Sequence, residues 1–164
     1  MFRVGLGVDV HAFAEDGPGR KLVLGGVKIP FERGLLGHSD ADVLAHAVID
    51  ALLGAAGLED IGHYFPDTDE SFKDTDSLKL LREARSMVGE SWEVSNVDAV
   101  VICEHPKIRD YREEMRRNLA EALGVEPSRV SVRGTTTELL GFTGRGEGIA
   151  AQAVCLLEGR RSVG

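Results

Sequence analysis

The stretch Phe2-Arg3-Val4-Gly5-Leu6-Gly7-Val8-Asp9-Val10-His11 decides how the rest of the chain is read. Its apolar residues fall at every second position, the period of a strand with one buried face. The positions between them carry Gly5, Gly7, Asp9 and His11. Asp9 and His11 therefore leave the strand on the same side, close enough to share one ion.

Working outward, residues 21–29 read as a second strand with Gly25-Gly26 at a bulge or bend, and residues 34–37 as a loop. Residues 41–56 are rich in Ala and Leu at helical spacing, with Ser39 or Asp40 as the expected cap. On that helix Asp42, His46 and Asp50 form a polar stripe at i, i+4 and i+8. Residues 60–76 hold Gly62, Pro66 and five Asp without a sustained period, which predicts a long functional loop. A helix over 77–87 follows, capped by Asp76 or Asp74, with Leu78, Leu80, Leu81 and Met87 as core contacts. Residues 92–104 read as a strand buried on both faces at 97–102. A charged amphipathic helix over 107–123 ends at Gly124. Strands at 129–133 and 148–157 flank a Gly- and Thr-rich stretch, 134–146. The order β-β-α-α-β-α-β-β implies an α+β sandwich, one mixed or antiparallel sheet covered by helices, in a single domain over residues 1–164.

The composition narrows the function classes. A net charge of −8 over 164 residues argues against nucleic acid as a partner, because phosphate backbones are held mainly by excess Lys and Arg. The longest apolar run, within 45–58, is broken by His46 and Asp50 and is too short to cross a membrane. The N-terminus lacks the pattern of a signal peptide, so a cytoplasmic protein is expected. Cys103 and Cys155 have no C-x-x-C partner and read as inert buried thiols.

If the first helix packs over the first strand, His46 completes a two-His, one-carboxylate metal set with Asp9 and His11, leaving an open position. Asp42 or Asp50 is then expected to orient His46 from behind. A plain structural His–Asp hydrogen bond is the alternative for these residues. Several further clusters suit phosphate. His38-Ser39-Asp40 precedes a helix, Thr135-Thr136-Thr137-Glu138 follows a strand, and glycine fills four of eight positions from Gly141 to Gly148 around Arg145. Phe65-Pro66-Asp67-Thr68-Asp69 adds carboxylates and Pro106-Lys107 a cation. Each could be an ordinary cap or strand end, but together they read as one phosphate-handling site.

Four segments carry a specific resemblance. These are G-x-D-x-H-x-F at 7–13, H-S-D-A-D-V-x-x-H-A-x-x-D-A-L-L-G-A at 38–55, D-I-G-x-x-F-P-D-T-D at 60–69 and T-T-T-E-x-L-G-F-T-G-R-G-E-G-I-A at 135–150. In these the chain resembles the 2-C-methyl-D-erythritol 2,4-cyclodiphosphate synthase family of the non-mevalonate isoprenoid pathway. The resemblance implies zinc on Asp9, His11 and His46, and a homotrimer with each active site between adjacent subunits. It implies that His38 and Thr136 stabilise the transition state. Asp9, His11 and His38 would also contact substrate, and Ser39, Asp60, Ile61, Gly62, Phe65, Pro66, Asp67, Thr68 and Asp69 would contact its methylerythritol phosphate end. Cys103, Pro106, Lys107, Ile108 and Arg109 would hold the cytidine diphosphate portion with Thr135, Thr136, Thr137 and Glu138, and with Phe142 and Arg145 nearby. Glu138 would help bind a second ion, Mg2+ or Mn2+, on the diphosphate.

The implied reaction is intramolecular phosphoryl transfer with loss of CMP. Such a step needs alignment and charge neutralisation more than a strong base. Three places depart from the family pattern: Leu139 stands where Lys is frequent, Gln152 where a Glu lines the trimer axis, and Cys103-Glu104-His105 where small residues are usual. An isoprenoid diphosphate in the axial cavity, met by Arg145, is a further implied partner. Two other readings remain open on the residues alone: a phosphate hydrolase using metal-bound water, and a trimeric module that binds without turnover.

Overall fold

Strand β1 (Phe2–Ala12) lies at one edge of a four-stranded sheet in the order β1-β6-β4-β5, with β4 at Trp92–Ile102, β5 at Val130–Thr135 and β6 at Gly148–Gly159. The computed structural model describes residues 1–15 and 19–160. β6 runs antiparallel to β1 and β4, whereas β4 and β5 are parallel and joined through helix α4 (Arg112–Leu123), the crossover that a parallel pair requires. The sheet is mixed and the domain is α+β, as the element order implied.

β1 buries one face, but not the apolar one. Gly5 and Gly7 are buried, while Phe2, Val4, Leu6, Val8 and Val10 are exposed. Helix α1 (Val43–Ala56) causes this inversion by lying directly on the glycines. A Cβ added at Gly5 would lie 2.0 Å from the Ala51 carbonyl oxygen, and one at Gly7 1.9 Å from that of Ala47. Only glycine permits that approach. α1 is apolar almost all round and buried almost all round, since α3 (Ser77–Val88) packs over its outer side and α4 packs in turn against α3.

Several boundaries differ from the sequence reading. Residues 21–29 form a hairpin, β2 (Leu22–Leu24) and β3 (Val27–Ile29), rather than one bulged strand. Gly25 and Gly26, at φ of 56° and 72°, are its two-residue turn, a geometry that favours glycine at both positions. Asp42 rather than Ser39 or Asp40 caps α1, and the same carboxylate accepts the N–H groups of Gly25 at 2.9 Å and Gly26 at 2.7 Å. The acidic segment 60–76 is not wholly irregular: it contains α2 (Ile61–Tyr64) and a 3-10 turn, Glu70–Phe72. Asp76 caps α3 as expected, but Met87 is 42% exposed, and Ala84 and Val88 fill the core there instead.

β4 ends at Ile102. Its Val97, Ala99 and Val101 are buried, whereas Asp98, Val100 and Ile102 on the other face are only half-buried. The helix expected over 107–123 opens with a 3-10 turn, Arg109–Tyr111, before α4 proper. Both cysteines are buried and unpaired, and burial pushes the Cys103 thiol up to about 11 and Cys155 up to about 12. They are unreactive core residues. Among the described residues no helix is long and apolar enough to cross a membrane.

Candidate metal centre and phosphate cleft

Asp9 and His11 project from the glycine face of β1 toward the first turn of α1, where His46 sits. The Asp9 Oδ2 atom lies 2.9 Å from His11 Nε2 and 3.1 Å from His46 Nδ1, and the two nitrogens are 3.2 Å apart. These three residues are the one group of potential metal ligands found among the described residues. Bonds of about 2.1 Å in a tetrahedral set give ligand separations of about 3.4 Å, so two nitrogens and one oxygen at these spacings can close on a divalent ion with one position left open.

The protons around the triangle are arranged to match. His11 Nδ1 lies 2.6 Å from the Leu36 carbonyl, which can only accept, so Nε2 keeps its lone pair for the centre. His46 is oriented by hydroxyls: its Nε2 lies 2.8 Å from Ser77 Oγ and 3.2 Å from Ser39 Oγ. Ser77 donates its own proton to Asp40, which also accepts the Ser77 N–H at 3.0 Å. Ser77 Oγ therefore accepts from His46 Nε2–H, leaving the Nδ1 lone pair toward Asp9 and His11. The expectation that Asp42 or Asp50 would orient His46 fails, because both have other work. Asp42 holds the hairpin turn and caps α1, and Asp50 accepts the Ile61 N–H at 2.8 Å. Sequence spacing pointed to i±4 partners, whereas the orienting group comes from α3, more than thirty residues away.

Burial alone would raise the Asp9 carboxyl, but hydrogen bonds and attraction from His11 and His46 outweigh it and hold it near 2, from an ordinary 3.8. His11 shows the reverse balance. Burial lowers it, while pairing with Asp9 and the Leu36 contact raise it above its ordinary value.

At the opposite edge of the sheet, a cleft of roughly 390 Å³ opens between the segment after β4 and the end of β5. It gathers Cys103, Pro106, Lys107, Ile108, Arg109, Thr135 and Thr136 from the sequence expectation, and adds Val101, Arg112 and Gly134. Gly134 forms part of the floor: a Cβ there would meet Ile108 at 2.9 Å. Arg112 carries no motif and was legible only as one charge of an amphipathic helix. Beside the cleft, Glu138 and Leu139 adopt left-handed backbone at φ of 54° and 64°, and Thr136 Oγ1 donates to Glu138 at 3.2 Å.

The remaining candidates lie elsewhere. His38 Nε2 lies 2.8 Å from the Asp69 carbonyl, which ties it to the loop of Phe65, Pro66, Asp67, Thr68 and Asp69. Phe65 is buried, with its ring packed edge-on against Phe72, and Ser39 is 7% exposed. Asp60 accepts the His63 N–H and caps α2, with Ile61 and Gly62 behind it. Phe142 and Arg145 do not line the cleft within one chain, and Arg145 is ion-paired with Glu147 at 2.7 Å.

Asp9 and His11 flank Val10, which pairs with Ala150, then Ile102, then Thr135. Metal centre and cleft thus share one end of the sheet but stand three strand spacings apart, about 14 Å.

A family model described as the YgbB family matches residues 2–158. The chain is 80% identical over 163 residues to the 2-C-methyl-D-erythritol 2,4-cyclodiphosphate synthase of Rubrobacter xylanophilus, covering 99% of this chain and 98% of that one. It is 57% identical over 159 residues to the synthase of the same name from Listeria innocua, covering 96% and 99%. Among solved structures it is similar to the bifunctional IspDF of Campylobacter jejuni, with a TM-score of 0.92 and 45% identity over 98% of this chain but only 43% of that longer one. It is also similar to a Plasmodium falciparum IspF in complex with CDP, with a TM-score of 0.84 and 35% identity over 98% and 97% of the two chains.

Proposed function

The chain belongs to the YgbB family of 2-C-methyl-D-erythritol 2,4-cyclodiphosphate synthases, cyclising lyases of isoprenoid biosynthesis, and from that membership we propose how its own residues carry the reaction. The 2-phosphate of 4-diphosphocytidyl-2-C-methyl-D-erythritol 2-phosphate attacks the β-phosphorus. The bond from that phosphorus to the α-phosphate oxygen breaks, CMP leaves with the electron pair, and the cyclic diphosphate remains. Both the entering and the departing atoms are phosphate oxygens, so no nucleophilic side chain is required. Zinc on Asp9, His11 and His46, and Mg2+ or Mn2+ at Glu138, would neutralise diphosphate charge when bound.

The protein's own groups supply alignment. Lys107, Arg109 and Thr135 would hold the cytidine diphosphate in the cleft, with Thr137 and the residues around Cys103, Pro106 and Ile108 shaping its walls. Ser39, with residues 60–62 and 65–69, would hold the methylerythritol end. His38 and Thr136 would donate to oxygens whose charge grows in the transition state.

The observation that carries this reading is the separation of the two half-sites. One diphosphate cannot bridge about 14 Å between β1 and β5 of the same sheet. It can be shared if the β1 edge of one subunit meets the β5 edge of the next. The exposed apolar face of β1 supports such an assembly, since five adjacent large apolar side chains left in water mark an interaction surface. We propose a homotrimeric cytoplasmic enzyme, one domain over residues 1–164 per subunit. Gln152, paired with Val8 and Val100 across the sheet, would face its axis. An isoprenoid diphosphate in that axial cavity would take Arg145 from Glu147.

Incubation with the cytidylyl substrate, zinc and Mg2+ tests the reading. CMP and the cyclic diphosphate are expected in equal amounts. Inorganic phosphate without CMP would point to a hydrolase instead.

A further inference from the structure

The turn after β5 places two left-handed residues in succession, Glu138 at φ 54° and Leu139 at φ 64°, and neither is glycine. Such backbone persists only where its surroundings fix it. Here one oxygen does so from the other wall of the cleft. Glu104 Oε1 accepts the N–H of Thr137 at 3.1 Å and that of Leu139 at 3.2 Å, so the two bonds bracket Glu138. The Glu138 N–H turns back to Thr136 Oγ1 at 3.3 Å, and that hydroxyl lies 3.2 Å from the Glu138 carboxylate. Thr137 adds contacts to Leu140 and Thr143, but these stay within the turn and cannot tie it to the opposite wall.

We propose that Glu104 is a positioning residue: its carboxylate latches residues 136–139 in the conformation that points the Thr136 hydroxyl and the Glu138 carboxylate at the same substrate phosphates. The latch rests on the observed hydrogen bonds, and its effect on the divalent ion at Glu138 rests on the function proposed above. The Glu104 side chain works through the turn and does not line the cleft.

The test uses the full-length zinc-loaded protein as Glu104→Ala and Glu104→Gln. Glutamine keeps an Oε1 acceptor and loses the charge, whereas alanine removes the acceptor. Two readouts are taken: amide hydrogen exchange at Thr137 and Leu139, and the Mg2+ concentration that half-saturates CMP release. Glu104→Ala is expected to speed exchange at both amides about tenfold or more and to raise the Mg2+ requirement about tenfold, with Glu104→Gln within about threefold of the parent. Unchanged exchange in Glu104→Ala, or equal losses in both variants, would overturn the latch. A parent protein that released no CMP would sink the cyclase reading alone, since the exchange measurement would still decide the latch.

Discussion

One face of β1 carries Gly5 and Gly7 and is buried beneath α1, while the other carries Phe2, Val4, Leu6, Val8 and Val10 and is 48% to 68% exposed. The contrast reverses what side-chain hydrophobicity alone would favour. Burial inside the chain is decided by how closely a helix can approach, and a smooth glycine surface accepts α1 at backbone contact. The larger apolar set is left for a surface that another chain can cover. The same contrast places the chemistry. Asp9 and His11 extend the glycine face, so they meet His46 at a half-buried spot where water is partly excluded and a metal can be held.

Filling the glycine face should have the largest effect. Gly7→Ala puts a Cβ 1.9 Å from the Ala47 carbonyl, which the backbone of α1 cannot yield to without moving. We expect a loss of about 3 kcal/mol or more, seen as a melting point lower by about 10 °C. Unchanged melting would mean α1 does not rest on β1 as described. On the opposite face, Val8→Asp should leave the fold of the single chain within about 0.5 kcal/mol of the parent yet dissociate the proposed trimer in sedimentation. An intact trimer would break the assignment of that face.

A smaller effect is expected behind His46. Ser77→Ala removes the acceptor that fixes its Nε2–H and should weaken zinc binding about 10- to 100-fold in a chelator competition. Affinity within twofold of the parent would show that Ser39 suffices. The smallest effect concerns pH. In the metal-free protein the raised His11 contributes stability that is complete below its ordinary value of 6.5 and fades as pH rises through its folded value. Asp9, held near 2, contributes stability present above 3.8 and lost as pH falls toward about 2. Zinc at the proposed site would need His11 neutral, so the rise in melting temperature on adding zinc should grow as pH rises through the raised folded value of His11. A constant increment would argue against His11 as a ligand.

Much of this was legible in the sequence. Period-two alternation identified β1 and placed Asp9 with His11, and Ala-rich helical spacing identified α1 and brought His46 to them. The cleft residues at 103–109 came from the family resemblance, with only Pro106-Lys107 and the motif at 135–138 read from the residues themselves. What escaped was set by contacts distant in sequence. Nothing local to Ser77 marks it as the partner of His46, or Asp40 as the acceptor behind Ser77, and Glu104 reads as one more surface charge until the turn at 137–139 is folded against it. The hairpin at Gly25-Gly26 was missed because three-residue strands give too short a pattern to separate a turn from a bulge. The inverted face of β1 was hidden because alternation shows that two faces differ and not which one a helix will choose.

The central claim is that one chain holds only half of each active site at each edge of its sheet. Subunit mixing tests it directly. His46→Ala and Thr136→Ala are each expected to be nearly inactive alone. When the two are dissociated together and reassembled, CMP release should return, because some sites pair the intact metal edge of one chain with the intact Thr136 of another. Mixed assemblies that form but stay as inactive as the separate variants would contradict the account.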